Sequence, residues 1–135
     1  MGRRAPRAVR AQSYTPLAQP VEGLSSRANA EIARIQHLRP DLEVRRALLG
    51  YRRTTRQPRR WLPGDGCYSL DEDLCEQRDV LEATLRMLPA PARRELWRLV
   101  APLDDLLLRT TVPDHHPGRV SPWYAAAWWR RRMAL

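Results

Sequence analysis

Residues 69–110 read SLDEDLCEQRDVLEATLRMLPAPARRELWRLVAPLDDLLLRT, and this stretch decides the fold. Ser69 followed by Glu72 fits a capping box, and Asp71 and Asp73 put negative charge in the first turn, where it suits the helix dipole. Leu74, Leu81, Leu85 and Leu88 then recur at helical spacing until Pro89 and Pro91 end the helix. From about Ala92 to Arg109 a second stripe follows, with Leu96, Leu99, Val100, Leu103, Leu106 and Leu107 at steps of three and four. Pro102 lies inside it and is expected to kink the helix or split it in two, because it removes a backbone bond and crowds the preceding turn. Two amphipathic helices joined by so short a proline-rich turn predict an antiparallel helical hairpin.

Working back from the hairpin, a first helix is expected after Ser25 or Ser26, with Ile32, Ile35 and Leu38 along one side, ending before Pro40. Asp41 and Glu43 suit the first turn of a second helix that carries Leu42, Ala47, Leu48 and Leu49, with Gly50 as a terminator. Pro58, Pro63, Gly64 and Gly66 mark a loop over 52–66, although Arg52 to Arg56 can extend the preceding helix. Residues 1–23, with four Arg and three Pro, hold too little apolar surface to offset the entropy of ordering and read as a disordered basic arm. Beyond Pro113 the chain is polar until Ser121, which can cap a short terminal helix with Pro122 at its first position. The expected fold is therefore all-α, a small helical bundle built on the hairpin. Its parts are the arm (1–23), a basic two-helix region and loop (24–62), the hairpin core (63–112), and a flexible linker with a Trp/Arg-rich terminal helix (113–135).

Length and composition narrow the function classes. A chain of 135 residues with polar, Pro-rich ends leaves a marginal core, so self-association or a partner covering apolar surface is expected. No stretch is long and apolar enough to span a bilayer, and the basic start is not followed by an apolar run, so neither a membrane span nor an export signal is expected. Cys67 and Cys75 then read as free thiols of a cytoplasmic protein, and His115-His116 lie too far from them in sequence for a zinc pattern; no metal or cofactor is expected. All twenty-four basic residues are Arg. Without lysine, a P-loop, a Schiff-base enzyme, a kinase-type ATP site and a PD-(D/E)xK nuclease are all disfavoured, and no enzymatic activity is expected.

The absence of lysine also resembles the composition of proteins from very GC-rich genomes, which discounts the basic pI. Codon bias does not explain how the charge is distributed. Residues 1–62 carry fourteen Arg against four carboxylates, and residues 63–115 carry six Arg against eleven. Such segregation indicates either a bipolar surface or a basic segment folded against an acidic helix.

The basic stretch holds Arg45, Arg46, Arg52, Arg53, Arg56, Arg59 and Arg60, with Tyr51 and Trp61 at either side. Guanidinium forks suit phosphate oxygens and aromatics suit unpaired bases, which makes these residues nucleic-acid-binding candidates. Glu31-Ile32-Ala33 followed by Arg45-Arg46-Ala47-Leu48 resembles the start and recognition helix of bacterial helix-turn-helix regulators. That resemblance implies groove-facing roles for Arg45, Arg46, Tyr51 and Arg52. The chain departs from the pattern at His37, where a turn Gly is usual, at Pro40, and at Val44, one position late for the apolar residue.

Asp71, Glu72, Asp73, Glu76, Asp79 and Glu82 form an acidic strip, either a solvated face or a docking strip for the basic segment or another cationic partner. The terminal Trp123, Trp128 and Trp129, with Arg130 to Arg132, suit a core-docking helix near Trp97, an interface anchor or a membrane-surface contact. Trp97, Trp123, Trp128 and Trp129 are therefore interface candidates. Residues 88–114 with the Trp/Arg ending are similar in style to small uncharacterised Arg-rich proteins of high-GC actinobacteria, which implies a cytoplasmic bacterial protein. The function expected is a non-catalytic adaptor or self-associating protein; the alternative is a DNA- or RNA-binding accessory or regulatory protein acting through Arg45 to Arg60.

Overall fold

A computed structural model describes residues 19–57, 72–113 and 126–134. Four helices make up most of it: α1 (Ser26–Leu38), α2 (Val44–Thr55), α3 (Glu72–Met87) and α4 (Ala90–Thr110). Two short strands, β1 (Thr111–Pro113) and β2 (Arg132–Ala134), pair antiparallel with Val112 opposite Met133. A 3-10 turn, Trp128–Arg131, leads into β2. The fold is thus a small all-α bundle with one added β ladder.

Of the two serines expected to precede α1, Ser25 is the cap, its hydroxyl accepting from the Ala28 N–H at 3.1 Å. Two residues beyond the end of α1 stands Pro40, which disfavours helical backbone at Arg39. Asp41 and Glu43 lie before α2 rather than in its first turn, because Asp41 turns back to Arg39 (2.8 Å) and Glu43 is the N-cap residue. Gly50 does not end α2. It is buried within the helix where α2 crosses α3, and a Cβ built there would lie 2.3 Å from the Gln77 side-chain amide. The missing side chain leaves room for the Gln77 side chain against the α2 backbone.

Pro102 does not split α4, which runs unbroken from Ala90 to Thr110. The proline is exposed, so the Arg98 carbonyl that loses its donor sits on the solvent side of the helix. α3 and α4 form the expected hairpin, but α2 packs on α3 more extensively than α4 does. Val44, Ala47, Leu48 and Tyr51 of α2 join Leu74, Leu81 and Leu85 of α3 and Leu96, Val100, Leu103 and Leu107 of α4 in one core. The regions expected on either side of residue 62 therefore share a single interior.

The arm expected over 1–23 needs correction at its end. Val21 is buried in the core, and its backbone N–H donates to Asn29 Oδ1 at 2.8 Å. Gly23 takes a φ of 90°, a left-handed conformation that lets the chain turn into α1. At the other end, the expected terminal helix is replaced over the described residues by the 3-10 turn and β2. The Arg132 side chain fastens β2, donating to Thr111 Oγ1 at 2.9 Å and to the Thr111 carbonyl at 2.7 Å. Residues 1–18, Ser69 of the capping box, Asp71 and the 121–125 segment lie outside the described residues.

Candidate functional site

The chemistry-bearing residues fall into three places: a buried ionic cluster, the outer face of α2, and a cleft at the closed end of the hairpin. In the first, Arg78 of α3 is only 1 % exposed, yet it sits among the apolar positions Leu74, Leu81 and Leu85. Its guanidinium meets Asp104 of α4 side-on, Nε to Oδ1 and Nη2 to Oδ2 both at 2.9 Å. Tyr51 of α2 donates its hydroxyl to the same Oδ1 at 2.6 Å. Glu82 stands 3.6 Å from Nη1, and the Trp129 ring covers the guanidinium with its centroid 4.2 Å from Cζ.

Burial works against the Arg78 charge, but the hydrogen bonds and charge of Asp104, aided by Tyr51 and Glu82, outweigh it and raise its pKa above the ordinary guanidinium value. Tyr51 is pushed well above its ordinary value, first by burial and then by the Asp104 charge and hydrogen bond. A cation held this firmly donates no proton at ordinary pH. The bidentate geometry instead joins α2, α3 and α4 at a single point.

Trp129 and Arg130 extend the arrangement outward. The indole N–H of Trp129 donates to Asp79 Oδ1 at 2.7 Å, and Arg130 reaches both oxygens of the same carboxylate. Trp128, half-buried, meets Trp129 edge-on with ring centroids 5.8 Å apart. Part of the acidic strip is therefore a docking face: Asp79 receives the C-terminal segment, while Asp73 and Glu76 line a groove shared with Arg45, Arg46 and Arg53 of α2. Trp129 docks on Arg78 and Asp79.

On α2, Arg45, Arg46, Arg53 and Arg56 are exposed and Arg52 is half-buried. Tyr51 is fully buried and offers no face on which a base can stack. The groove beside these arginines is also lined by Asp41, Glu43, Asp73 and Glu76. Arg46 pairs with Glu43 at 3.2 Å, and Arg45 donates to Gln19 at 2.9 Å. α1 packs on α4 and α2 on α3, and the two helices meet each other only slightly, unlike the paired helices of a helix-turn-helix unit. Arg59, Arg60, Trp61 and Trp123 lie outside the described residues.

The third place is centred on Trp97, 45 % exposed although it belongs to the core-forming helix α4. With Leu85 it forms the mainly apolar lining of an open cleft of about 500 Å³, edged by Glu82, Arg86, Arg93 and Arg94. The turn into α4 places Arg93 by a bond from its Nη2 to the Leu88 carbonyl at 3.0 Å, which satisfies one of the carbonyls left over at the end of α3. Glu82 lies between Arg78 and Arg86, 3.7 Å from the latter. Among the described residues Arg94 has no ion-pair or hydrogen-bond partner. Three guanidinium groups thus surround an apolar floor that holds one carboxylate, itself shared between two arginines.

No family model, no curated protein and no solved structure matches the chain.

The sequence pointed to Trp97 as an interface residue, but not to Leu85, Arg86, Arg93 and Arg94 around it. Their signal was present: a helix ending in Arg86, a proline turn, and an Arg93-Arg94 pair must converge once the hairpin closes. Among the described residues no three His, Cys, Asp or Glu side chains are grouped so as to hold a metal ion, and no helix is long and apolar enough to cross a membrane.

Proposed function

We propose that this protein is a non-catalytic interaction module that binds a protein partner through the Trp97 cleft at the closed end of the α3–α4 hairpin. The observation that carries this reading is an indole 45 % exposed over an apolar floor and ringed by guanidinium groups. Trp and Arg are the residues most enriched among those that dominate binding energy at protein interfaces. The terminal tryptophans that the sequence also suggested as anchors fit this role less well, because Trp129 is spent on covering Arg78. The cation on which catalysis would be sought, Arg78, is enclosed and paired, which suits a structural role.

Nucleic-acid binding through α2 is the second reading, favoured by the exposure of Arg45, Arg46, Arg53 and Arg56 along one helix. Four carboxylates share the adjacent groove and repel a phosphate backbone, so we place this reading below the first. Affinity purification from the native host separates the two. The intact protein, the Trp97→Ala variant and a variant with Arg45, Arg46 and Arg53 changed to Ala are each crosslinked in cells and recovered with and without nuclease. The cleft reading predicts nuclease-resistant partners, or crosslinked copies of the chain, that are lost only from Trp97→Ala. Nuclease-sensitive recovery lost only from the α2 variant would reject it.

A further inference from the structure

Resting on the cleft reading above, we infer that the partner presents an acidic segment with one bulky apolar side chain, which inserts against Trp97 and Leu85 while its carboxylates meet Arg86, Arg93 and Arg94. Charge complementarity is the ground for the occupant. The rim is cationic on both sides of the cleft, since Arg86 comes from the end of α3 and Arg93 and Arg94 from the start of α4. The one carboxylate in the lining does not cancel them: Glu82 is 27 % exposed and lies between Arg78 and Arg86.

The three arginines differ in readiness. Arg93 is held in place by its bond to the Leu88 carbonyl, so its remaining N–H groups are presented at little further entropic cost. Arg86 is 67 % exposed and only loosely associated with Glu82 at 3.7 Å, so it can turn to a stronger acceptor. Arg94 has no partner among the described residues and is available outright. A planar guanidinium fork accepts a carboxylate side-on, and an adjoining apolar floor excludes water from that contact.

A polyanion such as nucleic acid would use the same cations but has no use for the floor. Its binding needs a track of positive charge, whereas these arginines cluster around one concave apolar spot. A protein segment uses both features at once, the apolar anchor for affinity and the carboxylates for orientation.

The test is selection of the full chain against a displayed library of random dodecapeptides at near-physiological salt. The selected peptides are then synthesised with a fluorescent label for anisotropy. The inference predicts sequences in which Asp or Glu flank a Leu, Ile, Phe or Trp, and binding roughly tenfold weaker to Trp97→Ala and roughly fivefold weaker to Arg94→Glu. Replacing the peptide's apolar anchor with alanine should weaken it as much as Trp97→Ala does. Both protein variants change exposed side chains, and their unfolding curves verify the fold. Peptides that are basic or uncharged, or that bind Arg94→Glu equally well, would overturn the acidic partner while leaving the cleft reading intact. Equal binding to Trp97→Ala would overturn both, as would a labelled single-stranded oligonucleotide that competes with the peptides and binds more tightly than they do.

Discussion

The Trp129 ring lies over the Arg78 guanidinium, 4.2 Å from centroid to Cζ, so that a residue of the C-terminal segment closes the side of a salt bridge made between α3 and α4. The contact explains how a cation is kept inside a domain with so small a core. Asp104 takes one edge, through Nε and Nη2, and the indole replaces water on its face. A desolvated cation–π contact contributes about 2 kcal/mol. Burial of the ring and the Arg130–Asp79 bridge add to it.

Removing the ring should therefore release the C-terminal segment before the bundle itself. Trp129→Ala is expected to cost about 3 kcal/mol, and to open the β1–β2 ladder selectively. Amide hydrogen exchange measures this: Met133 and Val112 should lose protection while the α3 and α4 amides keep most of theirs. Unchanged protection at Met133 would show that the strand is held without Trp129.

Asp104→Leu leaves Arg78 charged, buried and unpaired, and is expected to destabilise by about 3–5 kcal/mol. Arg78→Met should cost a similar amount by stranding the carboxylate. Because Asp104 also holds the Tyr51 hydroxyl, the two changes are best combined in a Tyr51→Phe background. There the Arg78→Met/Asp104→Leu double variant should recover most of the loss, since replacing both partners with apolar groups removes the unpaired charge. Denaturant unfolding of the four species checks the coupling, and simple additivity would contradict it.

Tyr51 sets the alkaline limit of stability. Its folded pKa is raised above the ordinary 10.0, so its contribution is complete below about pH 10 and is lost as pH rises towards the folded value, because only the unfolded chain ionises there. Thermal unfolding from about pH 9 to about pH 12 should show a steeper decline for the native protein than for Tyr51→Phe. Parallel curves would contradict the buried hydrogen bond to Asp104.

An acid counterpart sits at the start of α1. Glu95 accepts from the Ser25 backbone N–H at 2.8 Å and from its hydroxyl at 2.9 Å, which ties the N-cap of α1 to α4. These bonds, the backbone one foremost, hold its carboxyl below the ordinary 4.5, with a smaller contribution from Arg98. A depressed folded value means that the tie stabilises above about pH 4.5 and is lost as pH falls through the lower value. The gap in melting temperature between the native protein and Glu95→Gln should therefore close on acidification. A gap independent of pH would remove the charged tie.

The hairpin, the Ser25 cap and the proline stop after Met87 were legible because each depends on a few neighbouring residues. The buried cluster leaves a trace in the sequence. Arg78 falls between Leu74 and Leu81, Asp104 between Val100 and Leu107, and Tyr51 follows Val44, Ala47 and Leu48 at helical steps, so all three interrupt or continue apolar stripes. A charge inside a leucine stripe signals a buried partner, but which carboxylate meets which cation depends on how the helices cross. The β1–β2 pair was illegible for another reason. Three residues on each side carry no period, and their register comes from Arg132 and the docked Trp129.

The central claim is that the protein engages its partner at the Trp97 cleft and not along the arginines of α2. Site-specific photo-crosslinking in cells tests it most directly, with a photoreactive side chain at position 94 in one variant and at position 53 in another. The account predicts protease-sensitive, nuclease-resistant adducts from position 94 that vanish when Trp97→Ala is added, and none of comparable yield from position 53. Nuclease-sensitive adducts from position 53, with none from position 94, would contradict it.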